Sequence, residues 1–179
     1  MKPDTESHLM AHLVYLSLGS NVGDREAPLR DALSRLSTLG RVTVVSSFYE
    51  TEPVEFTEQP WFLNCVAALE TTHTPQQLLA AILEIEEKMG RRRVQEKGPR
   101  VIDVDILSFD DLVFDDAIVH NGNTDSSRLT IPHPAMQHRR FVLEPLAEIA
   151  PELVHPVLKK TIRELLDALP EGQIVRKKN

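Results

Sequence analysis

A chain of 179 residues with 41% hydrophobic and 26% charged side chains has the length and composition of one globular domain with a single core. Its formal net charge of −7 argues against a general nucleic-acid binder, which needs a basic footprint to displace counterions, and no apolar stretch is long enough for a membrane span or a secretory signal. Cys65 is the only cysteine, which excludes an internal disulfide and a paired-cysteine metal site and suits a reducing cytoplasm.

Residues 1–12 are polar and broken by charge and read as a loose leader to a single catalytic domain over 1–179, since no linker, repeat or low-complexity block divides the chain. His12 to Leu18 reads as a strand. It runs into GSNVGD, where Gly19, Asn21 and Gly23 supply turn chemistry and Asp24 can cap a helix. That helix is expected to reach Leu39, with Leu29, Ala32, Leu33 and Leu36 on one face and Gly40 as its stop. Val42 to Tyr49 alternates and is β-branched, so it reads as a strand, with a loop from Glu50 to Pro60. Phe62 to Glu70 is the next strand. Thr74 and Pro75 open a helix whose apolar face is Leu78, Leu79, Ile82, Leu83, Ile85 and Met89 and which Gly90 ends.

Val101 to Phe109 reads as a strand, and Asp110-Asp111 as a tight return into a short partner. Asp115 to Arg128 has no apolar periodicity and reads as a mobile surface loop insertion. The prolines of IPHP hold that stretch extended, and Phe141 to Ile149 and Thr161 to Leu169 read as short helices. This order of elements fits an α+β sandwich, with helices on one face of a largely antiparallel sheet.

Chemistry concentrates in EKGPRVIDVDIL. Side chains alternate across a strand, so Ile102, Val104 and Ile106 feed one face while Asp103, Asp105 and Leu107 take the other. The two carboxylates then stand roughly 6.5–7 Å apart on a rigid element. That spacing is too wide to share one proton, but it suits Mg²⁺, which combines one or two carboxylates with waters and phosphate oxygens. Alternation by itself is equally served by two solvent-facing aspartates. Just ahead, Arg91, Arg92, Arg93, Lys97 and Arg100 fall within ten residues. Such residues can simply complement a helix C-terminus, but beside a cation pair Arg91, Arg93 and Arg100 are bidentate donors for a polyphosphate. Together they point to phosphoryl-type transfer. GSNVGD is not a P-loop, and His133 and His138, five apart, suit no zinc motif. Cys65 reads as a small buried hydrophobe.

The segments YLSLGSNVGD, SSFYETEPV, QPWFLN, GRRR, GPRVIDVDIL and LTIPHPAMQHRRFVLEPLAEIAPEL, in this order, resemble the hydroxymethyl-dihydropterin pyrophosphokinases of folate biosynthesis from Val14 to about Leu169. The resemblance implies a ferredoxin-like α+β domain, monomeric and cytoplasmic, that moves the terminal diphosphate of ATP to the hydroxymethyl oxygen of a reduced pterin and releases AMP. It implies two Mg²⁺ ions on Asp103 and Asp105, and a pterin sandwiched by Phe62 and Phe141 with Thr51, Val54 and Asn64 at its polar edge. It assigns ATP to Glu86, Arg91, Arg93, Arg100, Ile106, Arg128, Thr130, His133 and Arg139, with the arginines and His133 toward the phosphates and the aliphatic positions toward adenine. Arg91, Arg93, Arg100, Asp103, Asp105, His133 and Arg139 form the implied catalytic set.

The chain departs from that pattern at Glu55, where many relatives have glycine, at Glu96-Lys97, where many have Arg-Trp, and in the 115–128 insertion. The first two fall in loops expected to close over the substrates, so a different or less dry closed state is expected. Two rivals stand beside this reading. Another Mg²⁺-dependent transferase would release ADP instead of AMP, while an RNA-binding sheet is disfavoured by 5% aromatic content and the acidic balance.

Overall fold

The computed structural model describes residues 10–54, 58–90, 99–120 and 123–179, with the side chains of 116–127 left aside. The central strand β1 (His12–Ser20) lies between β4 (Phe62–Thr71) and β5 (Asp103–Phe109), and each pairing is antiparallel. The far edge of β4 carries β2 (Arg41–Val45) and β3 (Tyr49–Thr51) in succession, and a last strand that sequence reading missed, β8 (Val175–Lys177), lies beyond β3. Val42 to Tyr49 is therefore two strands instead of one. The break falls at Ser46, whose hydroxyl accepts the Val66 N–H in place of a ladder bond, at 2.9 Å.

Helices α1 (Glu26–Leu36) and α2 (Pro75–Lys88) cover the first face of the sheet. Leu29, Ala32 and Leu36 of α1 and Leu78, Ile82 and Ile85 of α2, at the expected spacing of three and four, meet Val14, Leu16, Leu18, Cys65 and Leu69. Thr74 and Gln77 form a reciprocal capping box with Pro75 in the first turn, and Asp24 accepts the Glu26 and Ala27 N–H groups at 3.1 and 3.3 Å. Cys65 is buried, and burial pushes its thiol up to about 12, which leaves it a packing residue.

The helices are not confined to one face. α3 (Arg140–Ile149) and α4 (Ile162–Asp167) cover the second, over Val66, Leu107 and Tyr15. The run Leu63 to Leu69 is apolar on nearly every residue because both faces of β4 are buried. The topology is the ferredoxin-like α+β arrangement, with β5, β1 and β4 in a row and the β2 and β3 pair outside.

The segment 115–128, expected to be an aperiodic loop, is mostly strand. β6 (Phe114–His120) and β7 (Asn123–Ile131) pair antiparallel as a separate two-stranded ribbon, with Asp115 opposite Thr130 and Ala117 opposite Arg128. A ribbon outside the main sheet is under no demand for a regular apolar face, so periodicity does not reveal it. The return at Asp110, whose φ is 48°, does lead into β6, but β6 pairs with β7 and not with β5. His12 opens β1, as expected of the strand though not of a leader reaching residue 12, and its ring meets the Asp110 carboxylate at 2.7 Å. The remainder of the leader, through residue 9, lies outside the described residues.

Gly40 does not end α1, which closes at Leu36 with Ser37 as its cap and not at Leu39; it serves the turn into β2 instead. A Cβ there would lie 2.1 Å from the backbone oxygen of Glu70, so only glycine lets the α1 to β2 turn approach β4 this closely. Gly40→Ala is expected to cost about 1–3 kcal/mol of stability, read as a lowered urea midpoint; an unchanged midpoint would mean that the turn relaxes freely.

Candidate active site

The site forms on the second face of the sheet. Leu107 and Val66 pack with α3 in the second core, and Asp105, Asp103 and Asn64 follow on the same face toward the starts of their strands. Strand register sets Asp103, Gly19, Asn64 and Tyr49 in one row across β5, β1, β4 and β3. Gly19 keeps the row open, because a Cβ at that position would stand 2.5 Å from Asn64 Oδ1.

Asp103 is paired with the Arg100 guanidinium, and both are largely sheltered from solvent. Asp105 has His133 Nε2 at 3.9 Å and an Arg139 nitrogen at 4.0 Å, both beyond hydrogen-bonding reach. Burial first, and then the Asp103 carboxylate, raise the Asp105 carboxyl to about 7. Solvent reaches 39% of the Asp105 side chain, but the carboxyl is crowded by protein and by the negative charge of its neighbours. His133 is driven the other way, to about 4, by burial and then by Arg139. It is neutral at physiological pH. Its Nδ1 accepts from Ala135 N–H at 3.1 Å, so the proton sits on Nε2, facing Asp105.

Glu86 lies behind this strand, 1% exposed, and accepts the Val104 N–H at 2.7 Å from the open edge of β5. Its charge also raises Asp105. Ile106, expected against adenine, is a core side chain, which leaves its backbone as the part a nucleotide can reach.

The aromatic pair is half-buried. Phe141, in the first turn of α3, packs on the second core, and the Arg139 guanidinium stands 5.6 Å from its ring centroid. Phe62 opens β4, opposite Thr51. Asn64 Nδ2 donates to Thr51 Oγ1 at 2.6 Å in the interior, and Val54 is exposed. Arg128 and Thr130 are brought together on the ribbon with Asp115, which pairs with the first and accepts from the second. Arg91 and Arg93, together with Glu55, Glu96 and Lys97, lie outside the described residues.

Asn21, read from the sequence as a turn residue, is a buried clamp. Its Oδ1 accepts the Arg100 N–H at 2.7 Å, its backbone N–H donates to the Arg100 carbonyl at 3.1 Å, and its Nδ2 donates to Gln59 Oε1 and the Pro60 carbonyl. One side chain thus joins the segment before Asp103 to the segment before Phe62. Arg25 supports the same segment, donating to the Trp61 carbonyl and to Glu50. The signal was the asparagine within GSN, but its partners are distant in sequence.

The acidic pair fits a hard divalent cation. Asp103 and Asp105 present oxygen donors on one strand face, and among the described residues no group of three or more His, Cys, Asp or Glu could hold a metal. Two carboxylates leave coordination positions for phosphate oxygens and water, which is the Mg²⁺ pattern.

Residues 15–151 match the family of 7,8-dihydro-6-hydroxymethylpterin-pyrophosphokinases. The 2-amino-4-hydroxy-6-hydroxymethyldihydropteridine pyrophosphokinase of Methylorubrum extorquens is 42% identical over 164 residues, covering 90% of this chain and 96% of that protein. The folic acid synthesis protein fol1 of Schizosaccharomyces pombe is 44% identical over 164 residues, which is 90% of this chain but only 21% of that longer protein. A crystallised Plasmodium falciparum HPPK-DHPS chain with pteroate superposes with a TM-score of 0.73 at 20% identity, over 90% of this chain and 43% of that one. At that identity the superposition speaks for the fold.

The raised Asp105 carboxyl has a stability consequence. The folded state holds this proton up to about pH 7, whereas an unfolded aspartate releases it near 3.9, so this group costs stability increasingly as pH rises between those values. With divalent cations chelated, Asp105→Asn is expected to be more stable than the parent chain at pH 7.5, with the gain vanishing toward pH 4. Urea melts across that range check it, and a gain independent of pH would contradict the assignment.

Proposed function

We infer the activity from kinship: the chain belongs to the 7,8-dihydro-6-hydroxymethylpterin-pyrophosphokinase family, and it transfers pyrophosphate from ATP to hydroxymethyldihydropterin in folate synthesis. The observation that supports this most directly is the row of Asp103, Gly19 and Asn64, which sets a polyphosphate-and-cation side next to an aromatic side within one strand spacing per step.

In the proposed mechanism the pterin hydroxymethyl oxygen attacks the β-phosphorus of ATP and AMP leaves. Phe62 and Phe141 stack on the two ring faces, while Asn64, Thr51 and the chain at Val54 meet the polar edge. Two Mg²⁺ ions on Asp103 and Asp105 would neutralise phosphate charge when bound. Arg100 and Arg139 face the phosphates, and His133, held neutral with its proton on Nε2, donates to a phosphoryl oxygen. Arg91 and Arg93 join this set, and Arg128 and Thr130 approach the nucleotide from the ribbon once Asp115 yields them. Glu86 and the Ile106 backbone mark the adenine side of β5. With little covalent chemistry for side chains to perform, positioning and electrostatics carry the rate.

We further propose that residues 1–179 act as a single catalytic domain, as a monomer in the cytoplasm, without nucleic acid or membrane. Among the described residues no helix is long and apolar enough to cross a membrane.

Chromatography of a reaction with ATP, MgCl₂ and reduced hydroxymethylpterin is expected to give AMP and pterin diphosphate in equal amounts. Chelation should abolish both, and Asp103→Ala should lower kcat by about 10²-fold or more. Pterin-dependent ADP would instead identify a simple phosphotransferase.

A further inference from the structure

The segment that follows α4 returns to the aromatic side of the site. β8 pairs with β3 so that Val175 stands opposite Thr51. Just before it, Glu52 and Ile174 bond reciprocally: Glu52 N–H donates to the Ile174 carbonyl at 3.2 Å, and Ile174 N–H donates to Glu52 Oε1 at 2.8 Å. Gln173 links this pair to the opposite wall. Its Oε1 accepts the Phe141 N–H at 3.2 Å, and its Nε2 donates to the Glu52 carbonyl at 3.0 Å.

We propose that Gln173 is a positioning residue for the pterin substrate, setting the distance between the helix start that carries Phe141 and the strand end that carries Thr51. The inference rests on the pterin-side assignment given above. First-turn N–H groups of a helix have no acceptor within the helix, and Arg139, at the N-cap of α3, supplies no side-chain bond. Gln173 supplies one from another part of the chain. The start of α3, and with it the plane of the Phe141 ring, is thereby referenced to the backbone immediately after Thr51.

An amide is suited to this task. It offers an acceptor to Phe141 N–H and a donor to the Glu52 carbonyl at the two ends of one plane. A glutamate would keep the first contact and set an anion against the Glu52 carbonyl, and leucine would offer neither. Gln173 is half-buried at the surface, so its role lies in these bonds more than in filling volume. The effect is also directional. Gln173 acts at the β3 and β8 side of the sheet, while Asp103 and Asp105 stand on β5 at the other end of the strand order. Loosening this tie displaces one stacking wall against the pterin edge and leaves the carboxylate strand in place, and small misplacements of bound reactants are costly.

The test compares the parent chain with Gln173→Leu and Gln173→Glu in steady-state assays varying pterin and ATP separately, with thermal melts alongside. Gln173→Leu, losing two hydrogen bonds, is expected to raise KM for pterin about tenfold, with a smaller rise of about threefold at most for ATP, because Arg139 at the same helix start faces the phosphates, and with the melting midpoint close to the parent's. Gln173→Glu is expected to raise the pterin KM as well, because its second contact becomes repulsive. An unchanged pterin KM in Gln173→Leu overturns the role, as does an equal rise for both substrates, which loss of the fold would also produce. A parent chain that releases no pterin-dependent AMP overturns the activity itself, and this role with it.

Discussion

The two-residue period of β5 binds the core to the chemistry. The register that sends Ile102, Val104 and Ile106 beneath α1 and α2 is the same register that delivers Asp103 and Asp105 to the opposite face. A slip by one residue would drive two carboxylates into a hydrocarbon interior and expose the isoleucines, so the apolar face enforces the position of the acidic one. Downstream, a register shift between Tyr15 and Leu16 of β1 lets Leu107 serve the second core while Phe109 returns to the first. The bulge therefore ends the strict alternation just past the pair.

Around that strand, charge is arranged at a cost. Asp105 is held with a raised carboxyl beside Asp103 and the buried Glu86, and His133 is held neutral beside Arg139. Both shifts originate in burial, which penalises charge of either sign. The protein supports these groups with main-chain bonds. Glu86 secures the β5 edge, His133 N–H donates to the Leu107 carbonyl at 2.9 Å, and Asn21 fixes Arg100. The segments that carry Arg100, Val104 and His133 are thus tied through their main chain, which loses little entropy when a ligand arrives.

Local patterns carried much of this into the sequence. The capping box at Thr74, the leucine stripes of α1 and α2, and the alternating aspartates of β5 all obey rules that operate within a few residues. What was illegible is what depends on distant partners. α3 and α4 read as helices, but only β4, apolar on both faces, hinted that a second face needed covering. Ser46 splits a β-branched run because of Val66, and Asn21 acts through residues 59, 60 and 100. The ribbon of β6 and β7 lacks a regular apolar face, although Asn121-Gly122 in the sequence is a strong hairpin signal. β8 has three residues, two of them basic, and its place is set by β3.

That short last strand has a consequence for the solution behaviour of the sheet. A sheet margin offers unpaired N–H and C=O groups on which another chain can build, and proteins blunt it with brevity, charge or cover. The two ends of the strand order β5-β1-β4-β3-β8 are treated. β8 ends the sheet after three residues with Arg176 and Lys177 in its ladder, and on the opposite side α2 inserts the Glu86 carboxylate onto the outward N–H of Val104. A neighbouring strand therefore meets cationic side chains at one end of that order and an occupied donor at the other, so accretion is discouraged at both of these ends.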